Sequence, residues 1–196
     1  MSVKPSLGSV SLLALTCALA LAGCGRAGES TLAADAAAPT SAPTAVEPAT
    51  VDPLATTLAD YEARARALSA QLATPGEVTA PSAEAEALLA QAATLVPAFS
   101  ARHPQCAAYL DAALGIRANW RTLAPEVIER DYHDDGALPK VAENGAVCYH
   151  MKDLIVHPAT VLALLAQPQP DFVQSKKEID EVIAHLGAVR AALGGA

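Results

Sequence analysis

The chain has 196 residues, 13 Lys and Arg against 21 Asp and Glu, and a formal net charge of −8. Nucleic-acid binding needs clustered basic side chains to neutralise phosphates. An acidic chain with one Trp, four Tyr and two Phe therefore argues against a nucleic-acid partner, and equally against adhesion to anionic lipid by charge.

The chain opens with Lys4 and then an apolar run, Leu7 to Ala22, that closes on Leu21-Ala22-Gly23-Cys24. A basic start, a short apolar stretch and small residues before a cut site are the parts of a secretory signal. The run is shorter than the roughly 20 apolar residues a membrane span needs. Its closing tetrad resembles the lipobox of bacterial lipoproteins. That resemblance implies cleavage before Cys24, lipidation of Cys24, and a mature protein held on a membrane by acyl chains, of which two or more anchor stably. Gly25 in place of Asp after Cys24 implies, by the same resemblance, the outer membrane facing the periplasm rather than retention at the inner membrane. Loss of the signal peptide, residues 1–23, removes Lys4 and no acid, which takes the charge from −8 to −9.

Residues 24–52 are dominated by Ala, Pro, Thr and Ser. Such a segment buries too little apolar surface to offset ordering entropy. It reads as a disordered tether that holds the following domain roughly 30 Å from the lipid.

From residue 53 to 196 the pattern is helical. Leu54, Leu58, Tyr61, Ala65, Leu68 and Leu72 recur at three- and four-residue steps, one face of a helix, and Pro75-Gly76 ends it. Pro81-Ser82 opens a second helix with Leu88, Leu89, Ala92, Leu95, Val96 and Phe99 on its apolar face and a kink expected at Pro97. After His103-Pro104 a third helix carries Cys106, Tyr109, Leu110, Ala113, Leu114, Arg117, Trp120 and Leu123, and Pro125 opens a continuation with Val127 and Ile128. Asp135-Gly136 and Pro139 mark a loop. A fourth helical region spans residues 146–166, and the proline after His157 predicts a break or kink there. Asp171, with Gln174 three residues on, predicts the cap of a last helix carrying Phe172, Val173, Ile179, Val182, Ile183, Leu186, Val189 and Leu193. No segment alternates as a strand would. The fold expected for 53–196 is all-α, an antiparallel bundle of four to five helices.

Cys17 leaves with the signal and Cys24 takes the lipid, so Cys106 and Cys148 remain. Two thiols in an oxidising compartment pair as a disulfide. The loop closed is about 43 residues, worth roughly 4 kcal/mol in the chain-entropy account. The rival assignment is a pair of thiolate metal ligands. CxxC and CxxCH are both absent.

Three of the five histidines fall in two neighbouring stretches, Tyr132-His133-Asp134-Asp135-Gly136 and Cys148-Tyr149-His150-Met151-Lys152-Asp153 running on to His157. On a helix, His150, Asp153 and His157 sit at i, i+3 and i+7, one face. Imidazole with carboxylate is a ligand set that zinc, iron, nickel and copper accept. A bridge between Cys106 and Cys148 brings His133 within range as a further ligand. The plainer alternatives are a helix exit at His133, a solvated pairing of His150 with Asp153, and His157 capping a break. His103 and His185 carry no such pattern. The acids Glu126, Glu129, Asp131, Asp134 and Asp135 read as a solvated helix end, and Arg117 with Trp120 as a stacked pair on one helix face.

GxSxG, SxxK, HExxH and P-loop patterns are absent, so no enzymatic activity is indicated. The leading expectation is a membrane-anchored envelope lipoprotein with a disulfide-stapled helical domain that binds an envelope protein or plays a structural part, without a cofactor. The alternative is a periplasmic module that binds a transition metal ion or haem through His133, His150, Asp153 and His157.

Overall fold

A computed structural model describes residues 52–141 and 145–194. The signal peptide, Cys24 and the tether before Asp52 lie outside the described residues.

The first helix, α1 (Pro53–Leu72), starts where local chemistry favours it. Asp52 accepts a hydrogen bond from the Leu54 amide at 2.9 Å, and Pro53 occupies the first turn, where no amide partner is needed. Leu54, Leu58, Tyr61, Ala65, Leu68 and Leu72 are all buried, as their spacing predicts. Helix α2 (Thr79–Arg102) begins two residues before Pro81, which sits in its first turn, and runs through Pro97 to its end.

The expected third helix is instead a chain of short pieces. A 3₁₀ turn at Pro104–Cys106 leads into α3 (Ala107–Leu114), then α4 (Ile116–Asn119), a 3₁₀ turn at Trp120–Thr122, α5 (Pro125–Ile128) and a π-helical turn at Glu129–His133. Gly115 breaks the run by a tight hydrogen bond to the Ala112 carbonyl. Ala124, extended ahead of Pro125, ends the next piece.

Helices α6 (Ala146–Leu165) and α7 (Phe172–Ala192) complete the bundle. Asp171 caps α7 by accepting from the Gln174 amide at 2.9 Å. The Gln174 side chain does not return to the cap; it reaches Glu178 one turn on. Val173, expected on the apolar face of α7, is 82% exposed, because the buried stripe passes through Phe172, Ser175 and Ile179.

Helix α1 packs against α2 and α7, and α6 packs against the same two helices. Contacts run in opposite directions along neighbours. Glu62 meets Arg190 while Ser69 meets Asp180, and Asp153 meets His185 while His157 meets Glu178. The architecture is an all-α antiparallel four-helix bundle, with α3 to α5 laid over α6. That cover explains why every residue of α6 from Met151 to Leu165 is buried.

The expected break at Pro158 does not occur: α6 continues through it. Proline removes the amide that would bond the Leu154 carbonyl. The buried Tyr61 hydroxyl donates to that carbonyl instead, at 2.7 Å. Cross-bundle hydrogen bonding thus replaces the missing helical one.

The Cys106–Cys148 disulfide is formed, with Cα atoms 5.3 Å apart, and ties the start of α3 to the first turn of α6.

Two outcomes follow from this packing. Tyr61→Phe orphans the Leu154 carbonyl and is expected to cost about 1–3 kcal/mol in urea unfolding. In a Pro158→Ala background the restored amide takes that carbonyl, and the cost of Tyr61→Phe shrinks. Separately, the oxidised protein shows no free thiol at Cys106 or Cys148 in denaturant, and Cys106→Ser with Cys148→Ser lowers unfolding stability by about 4 kcal/mol.

Candidate metal centre

Because α6 stays helical, His150, Asp153 and His157 share one face. Asp153 and His157 are fully buried, and His150 is half-buried. Unpaired polar groups are rare in such a position, since each costs about 1–3 kcal/mol when left without a partner.

His133 comes to this face from the π-helical turn. Single π-type turns shift the register of the side chains that follow and concentrate at functional sites. The chain then leaves through a tight exit. The Asp134 amide bonds the Glu129 carbonyl, the Gly136 amide bonds Arg130 and the Ala137 amide bonds Asp131. Asp135 takes a left-handed backbone conformation, φ 62°. A Cβ at Gly136 would stand 2.4 Å from the Arg130 carbonyl oxygen, so only glycine fits.

Three side chains hold this exit against α6. The Tyr109 hydroxyl of α3 donates to Asp135 Oδ1 at 2.7 Å. The fully buried Lys152 ammonium donates to the His133 carbonyl at 2.5 Å and to Asp135 Oδ1 at 3.0 Å. The same ammonium lies 4.0 Å from the centre of the Tyr149 ring, a cation–π contact. With the disulfide at Cys148, these links place His133 over α6.

Helix α7 supplies the opposite wall. Glu178, buried, accepts from His157 Nδ1 at 2.6 Å. That hydrogen bond fixes the ring and leaves His157 Nε2 as its free ligand atom, the carboxylate–histidine arrangement that orients metal ligands. Glu181 lies 3.9 Å from that Nε2. His185 brings Nδ1 to 2.5 Å from Asp153 Oδ2, without the alignment of a hydrogen bond. Lys152 Nζ stands 3.6 Å from the other Asp153 oxygen, beyond hydrogen-bonding range.

The outcome is a concentration of unpaired buried atoms. His133 Nδ1, His150 Nδ1, both Asp153 oxygens, His157 Nε2 and His185 Nδ1 have no hydrogen-bond partner. Ligand atoms of His133, Asp153 and His157 lie within 4.8 Å of one another, and so do those of His150, Asp153 and His185. Ring centroids are 5.2 Å apart for His133 and His157, and 4.9 Å apart for His150 and His185.

Burial and charge tune the surrounding groups. Burial holds His185 below the ordinary histidine value, helped by His150 and His157 and opposed by Asp153. For Glu178, burial pushes upward, but the hydrogen bond and charge of His157 outweigh it and leave the carboxyl below its ordinary range. Burial, with Asp153 and Asp135 nearby, pushes the Tyr149 phenol up to about 12. It stays protonated and shields the site between His133, His150 and His185.

All four residues expected as ligands, His133, His150, Asp153 and His157, meet here. His185, Glu178 and Glu181 belong with them and were not anticipated. A signal for them exists: Glu178, Glu181 and His185 repeat the same i, i+3, i+7 offsets on α7. His103 lies elsewhere, its Nε2 against the Ala192 carbonyl and its ring against Phe99. Arg121, not Arg117, covers the Trp120 ring, at 4.4 Å. Among the other acids, Asp131 pairs with Arg130, and Asp135 turns inward to Lys152 and Tyr109. The cysteines are consumed by the disulfide and offer no thiolate.

A scan against family models, a search of curated proteins and a search of solved structures find no match to this chain.

Gly136→Ala forces its new methyl into the Arg130 carbonyl. The expected cost is about 1–3 kcal/mol in urea unfolding, together with displacement of His133, read as a shift of its imidazole resonances.

Proposed function

We propose that this chain is a lipid-anchored envelope protein whose helical domain binds a first-row transition metal through His133, His150, Asp153, His157 and His185. The observation that carries this reading is the set of six buried polar atoms, on five side chains that face one another, that make no hydrogen bond. A core that packs itself satisfies such atoms; an ion satisfies them together. Imidazole and carboxylate donors suit zinc, copper, nickel and iron. The Asp153 carboxylate stands between the histidine pairs, which favours an ion over the broad plane of a haem.

An interaction module without a metal has less support. Among the described residues the large hydrophobic side chain that stands strongly exposed is Val173, which is too little for a broad apolar docking face.

The envelope placement rests on Leu21-Ala22-Gly23-Cys24. The tether then keeps the site within roughly 30 Å of the membrane. Cys24→Ser is expected to accumulate an unlipidated precursor that takes up no labelled palmitate. Normal processing and labelling of that variant would remove the anchor from the reading.

The metal reading is tested by elemental analysis of the full chain, extracted in detergent and purified without chelator or tag-borne metal. At least about one tightly held ion per chain is expected, with metal content reduced in His157→Ala and in His150→Ala and unchanged in His103→Ala. Saturating zinc at about 100-fold above its dissociation constant should raise the melting temperature of the chelator-stripped protein by about 5–10 °C. Less than about a tenth of an equivalent after challenge with zinc, copper, nickel and iron would remove the metal reading.

A further inference from the structure

We infer that the centre takes two ions rather than one, with the Asp153 carboxylate bridging them. This rests on the metal reading above and deepens it. The donor atoms do not gather as one set of five. The two groups that contain Asp153 are triads, His133–Asp153–His157 and His150–Asp153–His185; two further groups, Glu129–His133–Asp134 and His157–Glu178–Glu181, flank the first. Each triad owns a pair of imidazoles with ring centroids close together, 5.2 Å and 4.9 Å, while His157 and His185 across the pairs are 6.0 Å apart. Both Asp153 oxygens are buried and make no hydrogen bond; one faces His185 and the other Lys152, and each is available to one ion.

Each ion then receives two imidazole nitrogens and one carboxylate oxygen. Three protein ligands leave positions open for water or hydroxide. A carboxylate that bridges two ions suits the separation of about 3.5–4 Å found in two-metal sites. The surroundings supply the countercharge: Glu178 and Glu181 on α7, and Glu129 and Asp134 beside His133. Lys152 is held away toward Asp135 and the His133 carbonyl.

The two positions differ. The His133–His157 position has Glu178 behind His157, whose side chain is 1% exposed, and reaches solvent at His133, whose side chain is 22% exposed. The His150–His185 position opens toward solvent at His185, whose side chain is 25% exposed. The position whose His157 ring is oriented by Glu178 fills first and the other second, so the ions load in sequence.

The test is a zinc titration of the chelator-stripped full chain in detergent, followed by calorimetry and elemental analysis, with a parallel copper(II) titration followed by electron paramagnetic resonance. Two zinc equivalents are expected, in two steps. His185→Ala, which removes a partly exposed side chain and leaves no deep cavity, keeps one equivalent. Glu178→Gln weakens the first step by about 10–100-fold and leaves the second in place. With two copper ions the wild-type signal is lost or broadened by coupling. In His185→Ala the spectrum of an isolated copper ion remains. Circular dichroism confirms that each variant is folded. One equivalent, abolished alike by replacing any of the four histidines, would overturn the two-ion inference while leaving a metal site. No bound zinc at all would overturn both readings. Two equivalents with uncoupled copper signals would overturn the bridge.

Discussion

The hydrogen bond from Tyr61 to the Leu154 carbonyl lets α6 continue as a helix through Pro158. The face of α6 that carries His150, Asp153 and His157 exists only because of that continuity. A kink at Pro158 would rotate His157 away from the other two, and Glu178 would lose the ring it orients. The bundle therefore holds the centre through a contact on its far side. Tyr61 lies 93 residues from Leu154 in the chain and touches none of the histidines.

The second requirement is to bring His133 back over α6. Local and long-range devices cooperate. The π-helical turn and the left-handed Asp135 bend the chain, and the absence of a side chain at Gly136 lets the bend close. The disulfide, Tyr109 and Lys152 then fasten it. Lys152 is the most demanding of these, because a fully buried ammonium is costly unless paired. Asp135, the His133 carbonyl and the Tyr149 ring meet that demand together. The same contacts keep its charge out of the space between the imidazoles.

Folding and ligand binding are linked by this arrangement. A core with six unpartnered polar atoms is less stable than it could be. An ion that satisfies them adds its binding free energy to folding. Under the proposed function, envelope tethering and metal capture are compatible tasks for one chain: the lipid would set the location, and an ion held in the bundle would also steady the fold.

The helical class, the cap at Asp171, most of the apolar faces and the pairing of Cys106 with Cys148 were legible from the sequence, because they follow from local periodicity, capping chemistry and residue count. The i, i+3, i+7 spacing likewise marked His150, Asp153 and His157. The break expected at Pro158 shows the limit of that reasoning: local rules register the lost amide but not the distant hydroxyl that replaces it. His185 was read as carrying no pattern and Glu178 went unremarked for the same reason, although α7 repeats the spacing of α6. Which helix faces meet is decided by how four amphipathic stripes pack at once, and no single segment contains that information. The sequence by itself determined the helical class, the cap of the last helix and which side chains of α1 and α6 share a face. Only the tertiary structure decided that the histidine face of α6 would oppose that of α7 around one buried carboxylate, because their contact is made across the bundle.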